Sequence, residues 1–123
     1  IRTKTIWKDG TLFCRAEYLQ HNLEQIELMP ESTFDEIVDK YVEMNIAHPF
    51  MEGNGRTTRI WLDLIFKKNL SMVIDWSTIK KEEYLNAMRI SVYSDKQIKA
   101  LLKSALTSDI NSRAIAFFIK RLL

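Results

Sequence analysis

With 123 residues, 46% of them hydrophobic and 28% charged, the chain has the make-up of one globular domain with enough apolar mass for a core. A net charge of +2 on 18 basic and 16 acidic side chains, with the lysines scattered as on solvated helix faces, argues against direct nucleic-acid binding. No apolar run is long enough to span a bilayer and no signal peptide is visible, so no membrane partner is expected.

Three glycines and two prolines in the whole chain predict that helices dominate. The exception lies at about residues 3–14. Thr5-Ile6-Trp7 and Leu12-Phe13-Cys14 read as two short strands around a turn at Lys8-Asp9-Gly10-Thr11, a β-hairpin signal. Cys14 is the single cysteine, which rules out an internal disulfide and suits a reducing cytoplasm. It reads as a small buried hydrophobe, since nothing in its neighbourhood would activate it. Ala16, Leu19, Leu23 and Ile26 then form a helical stripe that stops at Pro30. Thr33 and Glu36 form a capping box, followed by Phe34, Ile37, Val38, Tyr41, Val42 and Ile46 at helical spacing up to Pro49. Ile60, Trp61, Leu64 and Ile65 mark a further helix to about Asn69, and Tyr84, Leu85 and Met88 another from about Lys81. Ser94 and Gln97 are expected to cap a helix through Ile98, Leu101 and Leu102, and a last helix is expected from near Asn111. The fold class expected is an all-α bundle with one hairpin attached.

The segment from His48 to Arg59, HPFMEGNGRTTR, carries the chemistry. It joins the end of one core helix to the first turn of the next. Gly53 and Gly55 are expected to allow positive φ and a close anion approach. The free N–H groups of a helix beginning between Asn54 and Arg56 would point into the loop. Arg56 and Arg59, three apart, share a helix face and can both reach a polyphosphate. Glu52 would repel such an anion unless a cation such as Mg²⁺ lay between them. His48 can accept a proton near neutral pH, although a bound phosphate would raise its pKa. Singly, each residue has a bland reading: a helix-end histidine, a surface carboxylate, solvated arginines, a common Asn-Gly turn. Their order and spacing together point to metal-assisted chemistry on a nucleotide phosphate.

This segment resembles the signature of the Fic domain, His-x-Phe-x-(Asp/Glu)-Gly-Asn-Gly-Arg-x-x-Arg, and every fixed position is present. The strict likeness covers His48 to Arg59 and a looser one the hairpin and the preceding helix. The resemblance implies a Fic-type helical bundle with the hairpin as a flap, and a protein adenylyltransferase moving AMP from ATP to a Ser, Thr or Tyr hydroxyl with loss of pyrophosphate. By that resemblance His48 is the general base and Glu52 holds Mg²⁺. Gly53, Asn54 and Gly55 form the anion-binding loop, with the Asn54 side chain contributing. Arg56 and Arg59 hold the outer phosphates, and Phe50 anchors the loop in the core. The target protein docks on the flap, where Trp7 and Lys8 lie near the tip, although Trp7 reads equally well as packing.

Other branches of the family remain as alternatives. A kinase-like branch carries lysine where Gly55 stands, which argues against phosphate transfer here. UMP or phosphocholine transfer and a catalytically silent helical interaction module stay open. Many Fic proteins carry an inhibitory (Ser/Thr)-x-x-x-Glu-(Gly/Asn) helix whose glutamate pairs with the second arginine. Ser32–Glu36 and Thr78–Glu82 have the spacing but not the following residue. Residues 1–123 are therefore expected to be one catalytic core truncated at both ends, with an inhibitory helix beyond Leu123 or on another protein and with Arg59 unpaired. The compartment expected is a cytoplasm, or a host-cell cytosol into which the protein is delivered.

Overall fold

The structure is a computed structural model that describes residues 1–8 and 11–109. In chain order it comprises β1 (Trp7–Lys8), β2 (Thr11–Leu12), α1 (Ala16–Leu28), α2 (Phe34–Ala47), α3 (Asn54–Leu70), β3 (Val73–Ile74), α4 (Lys81–Ile90), α5 (Lys96–Ser104) and β4 (Leu106–Thr107). A 3-10 turn occupies Trp76–Thr78. The expected bundle with a hairpin is therefore the observed architecture. The Asp9-Gly10 turn and the last expected helix lie outside the described residues.

Helix α2 is the spine. Its start is fixed by Thr33, whose hydroxyl accepts from the Glu36 backbone N–H at 3.2 Å, while the Glu36 carboxylate accepts from Thr33 N–H at 3.0 Å. A reciprocal cap of this kind is worth about 1 kcal/mol. Ile37, Val38, Tyr41 and Val42 pack against Leu62, Ile65 and Phe66 of α3 to form the main core. Ala47, at the far end of α2, joins Leu19 and Ile26 of α1 in a smaller cluster. Apolar surface on both sides holds α2 fast up to the residue before His48.

Strands β1 and β2 are antiparallel, with Trp7 opposite Leu12 and Lys8 opposite Thr11. Phe13 N–H donates to Ile6 O at 3.1 Å, which extends the pairing one step. Lys8 and Thr11 thus belong to the strands rather than to the turn. Two further corrections follow. A second antiparallel pair, β3 with β4, closes the side of α3, with Val73 opposite Thr107 and Ile74 opposite Leu106. Strands of two residues leave no alternation to read in a sequence. The cap expected from Ser94 is also not made: the N-cap of α5 is Asp95, which makes no side-chain capping bond. Its carboxylate instead pairs with Lys99 one turn on, at 3.0 Å, and Asp39 of α2 meets the same ammonium at 2.7 Å. Among the described residues no helix is long and apolar enough to cross a membrane.

Candidate active site

Helix α2 ends at Ala47 because His48 turns left-handed (φ 49°, ψ 62°) and Pro49 cannot continue the helical ladder. The His48 N–H still donates to Met44 O at 3.0 Å. Its ring stacks on Phe13, at the foot of the hairpin, with centroids 3.8 Å apart and planes 14° from parallel. Flap and imidazole are therefore in direct contact.

Asn54 builds the loop that follows. Its amide oxygen accepts from Phe50 N–H at 2.8 Å and its amide nitrogen donates to Phe50 O at 2.5 Å. Both ends of this buried side chain thus bond to the loop itself. The Phe50 ring is 39% exposed. The loop is thus tied down through the Phe50 backbone and not through a ring in the core. Gly53 has φ 74°, a left-handed value that a Cβ would strain, and serves as N-cap of α3 without any side-chain cap. The first N–H groups of α3 have no partner within the helix and open onto the loop.

At Gly55 the expected positive φ is not found, and its bare Cα faces a neighbouring side chain. A Cβ there would stand 3.2 Å from Arg59 Nη1 and 3.4 Å from Nη2. The Arg59 guanidinium passes directly beneath the glycine. Arg59 is only 6% exposed and sits over the rings of Trp76, at 6.0 Å, and Tyr84, at 5.6 Å. It is engaged by these rings and by the Tyr84 hydroxyl, so the expectation of an unpaired Arg59 is corrected. Arg56, one turn earlier, is exposed.

The platform under Arg59 is itself fixed. Buried Asp63, one turn along α3, accepts from Ile74 N–H at 2.8 Å and from the Trp76 indole at 2.9 Å. The Tyr84 hydroxyl meets that of Tyr41 in a short hydrogen bond, and burial holds both phenols above their ordinary pKa. Desolvation likewise lifts the Asp63 carboxyl to about 6, against the pull of its two donors.

A cavity of about 350 Å³ gathers His48, Glu52, Gly53, Asn54, Gly55, Arg56 and Arg59. Met51 of the loop, Ile6 and Lys8 of the flap and Lys81 at the start of α4 complete its wall. Of the two flap residues singled out, Lys8 faces the cavity. Trp7 does not line it and is 68% exposed, so it is not packing. Burial, then the charges of Arg2 and Lys8, push His48 down to about 4, which leaves it unprotonated at neutral pH. Glu52 is exposed, and among the described residues no group of three or more His, Cys, Asp or Glu side chains could hold a metal by itself.

Sequence reasoning missed Arg2, Asp63, Trp76, Tyr84 and Lys81. Only Asp63, a carboxylate inside an apolar helix face next to Leu62, left a readable signal.

The profile of the Fic/DOC family matches residues 1–66 of this chain. The chain belongs to the Fic/DOC family. Protein adenylyltransferase VbhT of Bartonella schoenbuchensis is 34% identical over 76 residues, which is 59% of this chain and 15% of that protein. Two Bartonella Fic structures superpose with a TM-score of 0.74 at 19% identity and show the same fold. One is BepC of Bartonella tribocorum with bound AMPPNP, matching 86% of this chain and 57% of its own. The other is the N-terminal Fic domain of a cell filamentation protein of Bartonella quintana with bound ADP, with 93% and 58% covered. The chain thus spans about a seventh of the curated relative and under three fifths of the solved ones. The inhibitory helix expected beyond Leu123 or in trans lies outside the described residues.

Proposed function

We propose that this Fic domain is a protein adenylyltransferase that takes AMP from ATP and places it on a hydroxyl side chain of a target protein. One observation carries the reading. A neutral histidine, a solvated carboxylate, the open N-terminus of a helix and two arginines of that helix line a single cavity whose rim is a short hairpin.

The chemistry asked of these residues is positioning and charge stabilisation. Loop N–H groups of α3 and the positive end of its dipole suit the phosphates nearest the loop. Arg59, backed by two aromatic faces, and Arg56, free to bend over the site, suit the outer ones. The acceptor hydroxyl attacks the α-phosphorus, a new P–O bond forms, the bond to the β-phosphate oxygen breaks and pyrophosphate leaves. The acceptor proton passes to the imidazole of His48, which is unprotonated and ready to take it. The phosphates' negative charge raises its affinity for that proton once nucleotide is bound.

Glu52 fits a Mg²⁺ site of the kind in which one carboxylate and the substrate's phosphate oxygens share the ion. Such an ion would neutralise charge on the phosphates. An exposed hard oxygen donor with no companion ligands suits that ion better than one needing an all-protein cage. ATP is the co-substrate. The exposed backbone edges of β1 and β2 suit an extended target segment, with Lys8 turned to the cavity and Trp7 to the solvent. Gly55 favours nucleotidyl over kinase-type transfer, since the kinase-like branch carries lysine at that position.

Mass spectrometry of lysate proteins incubated with the domain, ATP and Mg²⁺ tests the reading. An adenylyl increment on Ser, Thr or Tyr is expected. A uridylyl, phosphocholine or bare phosphate group, or no addition by the wild-type domain with any of the donors, would refute it.

A further inference from the structure

We infer that Arg2 is a positioning residue for the transfer proposed above, on which this inference rests. It locks the helix end that carries His48 to the base of the hairpin and sets the place and the electrostatic surroundings of the imidazole.

Arg2 is 4% exposed, and its guanidinium is spent on four carbonyl oxygens from three segments. Nε donates to His48 O at 2.5 Å, and Nη2 to Ala47 O at 2.8 Å and to Cys14 O at 2.5 Å. Nη1 donates to Lys4 O at 2.8 Å, and the Arg2 backbone N–H donates to Pro49 O at 2.8 Å. The last carbonyls of a helix have no partner within it, and a cation there also meets the negative end of the helix dipole. Arg2 satisfies those of Ala47 and His48 and, through its backbone, that of Pro49. The same fork grips both ends of the flap, at Lys4 before β1 and at Cys14 after β2. The left-handed turn at His48 and the foot of the hairpin are therefore built on one side chain. Only a planar group with five donors can do this, which lysine lacks.

Among the described residues no ion pair involves Arg2, so a buried cation is held by carbonyl dipoles alone. The fork necessarily brings a positive charge with it, since a guanidinium stays protonated. Placed beside His48, that charge opposes protonation of the imidazole. Lys8 of β1 acts on the ring in the same sense, while Glu52, Arg56, Arg59 and Lys81 are the other charges lining the cavity it faces.

Two variants separate charge from geometry. Arg2→Lys keeps the cation and loses the fork, and Arg2→Met loses both. The His48 imidazole is titrated by NMR, with His21 identified by its own substitution. The transfer rate and the KM for ATP are measured on the same proteins. Arg2→Met is expected to move the His48 titration up towards the ordinary imidazole value, and Arg2→Lys to leave it near wild type. Both variants should lower kcat on the order of 10- to 100-fold, since misplacing a reacting group by about 1 Å costs that much. KM for ATP should change less than about threefold, because Arg2 touches none of the nucleotide loop. Overturning results are a folded Arg2→Met whose His48 titrates as in wild type, or an Arg2→Lys variant with wild-type kcat. If Arg2→Met does not fold, Arg2→Lys decides. If the wild-type domain transfers nothing, the transferase reading fails while the His48 titration still decides whether Arg2 governs the imidazole.

Discussion

Replacing Gly55 by alanine separates a glycine kept for its backbone from one kept for its neighbour. The residue lies in the first turn of α3 outside the positive-φ range, so alanine can adopt its conformation. Helix propensity alone would then favour the variant by up to about 1 kcal/mol. The new Cβ, however, stands 3.2, 3.4 and 3.6 Å from Nη1, Nη2 and Cζ of Arg59. The guanidinium must retreat by a few tenths of an ångström, and it is pinned against Trp76 and Tyr84 with Asp63 fixing the indole. Stability should therefore change little, within about 1 kcal/mol, while Arg59 loses its aim at the nucleotide. One charge-assisted hydrogen bond is worth about 1.5–3 kcal/mol, so the Kd for ATP·Mg²⁺ should rise about 10- to 100-fold. Gly53→Ala is the contrasting case. Its Cβ would meet nothing within 4 Å, yet φ 74° strains any L side chain. That strain costs about 1–2 kcal/mol and should lower Tm by roughly 3–8 °C. Calorimetric titration with ATP·Mg²⁺ and thermal melts of both variants read the two effects. A Gly55→Ala protein that binds ATP like wild type, or whose Tm falls as far as that of Gly53→Ala, would refute the reasoning.

Other expectations follow from the buried groups. Asp63→Asn puts an amide donor against either the Ile74 N–H or the Trp76 indole. Urea unfolding should show a loss of about 1–3 kcal/mol near pH 7, the cost of a buried unpaired donor. In the wild type the raised Asp63 pKa means that the folded state holds a proton the unfolded chain releases. That contribution is present below about 3.8 and is lost as pH rises through about 6. His48 acts oppositely: the unfolded chain takes up a proton below about 6.5 and the folded site only near 4, so stability falls as pH drops through that window. The two contributions oppose each other over much of that window, so a His48→Gln variant should lose the His48 part and become more stable relative to wild type towards pH 4, in urea titrations taken across pH 4 to 7. Tyr84→Phe removes the partner of the Tyr41 hydroxyl and a contact of Arg59, and should both lower Tm by a few degrees and weaken ATP binding in the same calorimetric assay.

The site was legible because its residues lie next to one another in the chain. His48 to Arg59 could be placed between two helices from a capping box at Thr33, a proline at position 49 and a glycine-flanked asparagine. What holds those residues was not legible, because it comes from far along the chain. Arg2 reaches Ala47 and His48 across more than forty positions, and Trp76 and Tyr84 reach back to Arg59. Single side chains at such separations leave no periodicity. The bonds of Asn54 to Phe50, which build the loop, were likewise not readable from the Asn-Gly pair alone. Ser94 lost its cap to Asp95, which lies one residue closer to the helix and is held by Lys99. The second strand pair escaped because strands of two residues leave no alternation to read, even though Ile74 lies in the core.

At the centre of the proposal, a protein hydroxyl takes the α-phosphoryl group and its nucleoside while His48 accepts the hydroxyl proton. The most direct measurement runs ATP labelled at the α-phosphorus beside ATP labelled at the γ-phosphorus, with Mg²⁺ and a mixture of acceptor proteins, for the wild type and for His48→Ala. The account predicts protein-bound label from the α-position alone, lost in the variant. Label from the γ-position, or α-label that survives loss of His48, would contradict it.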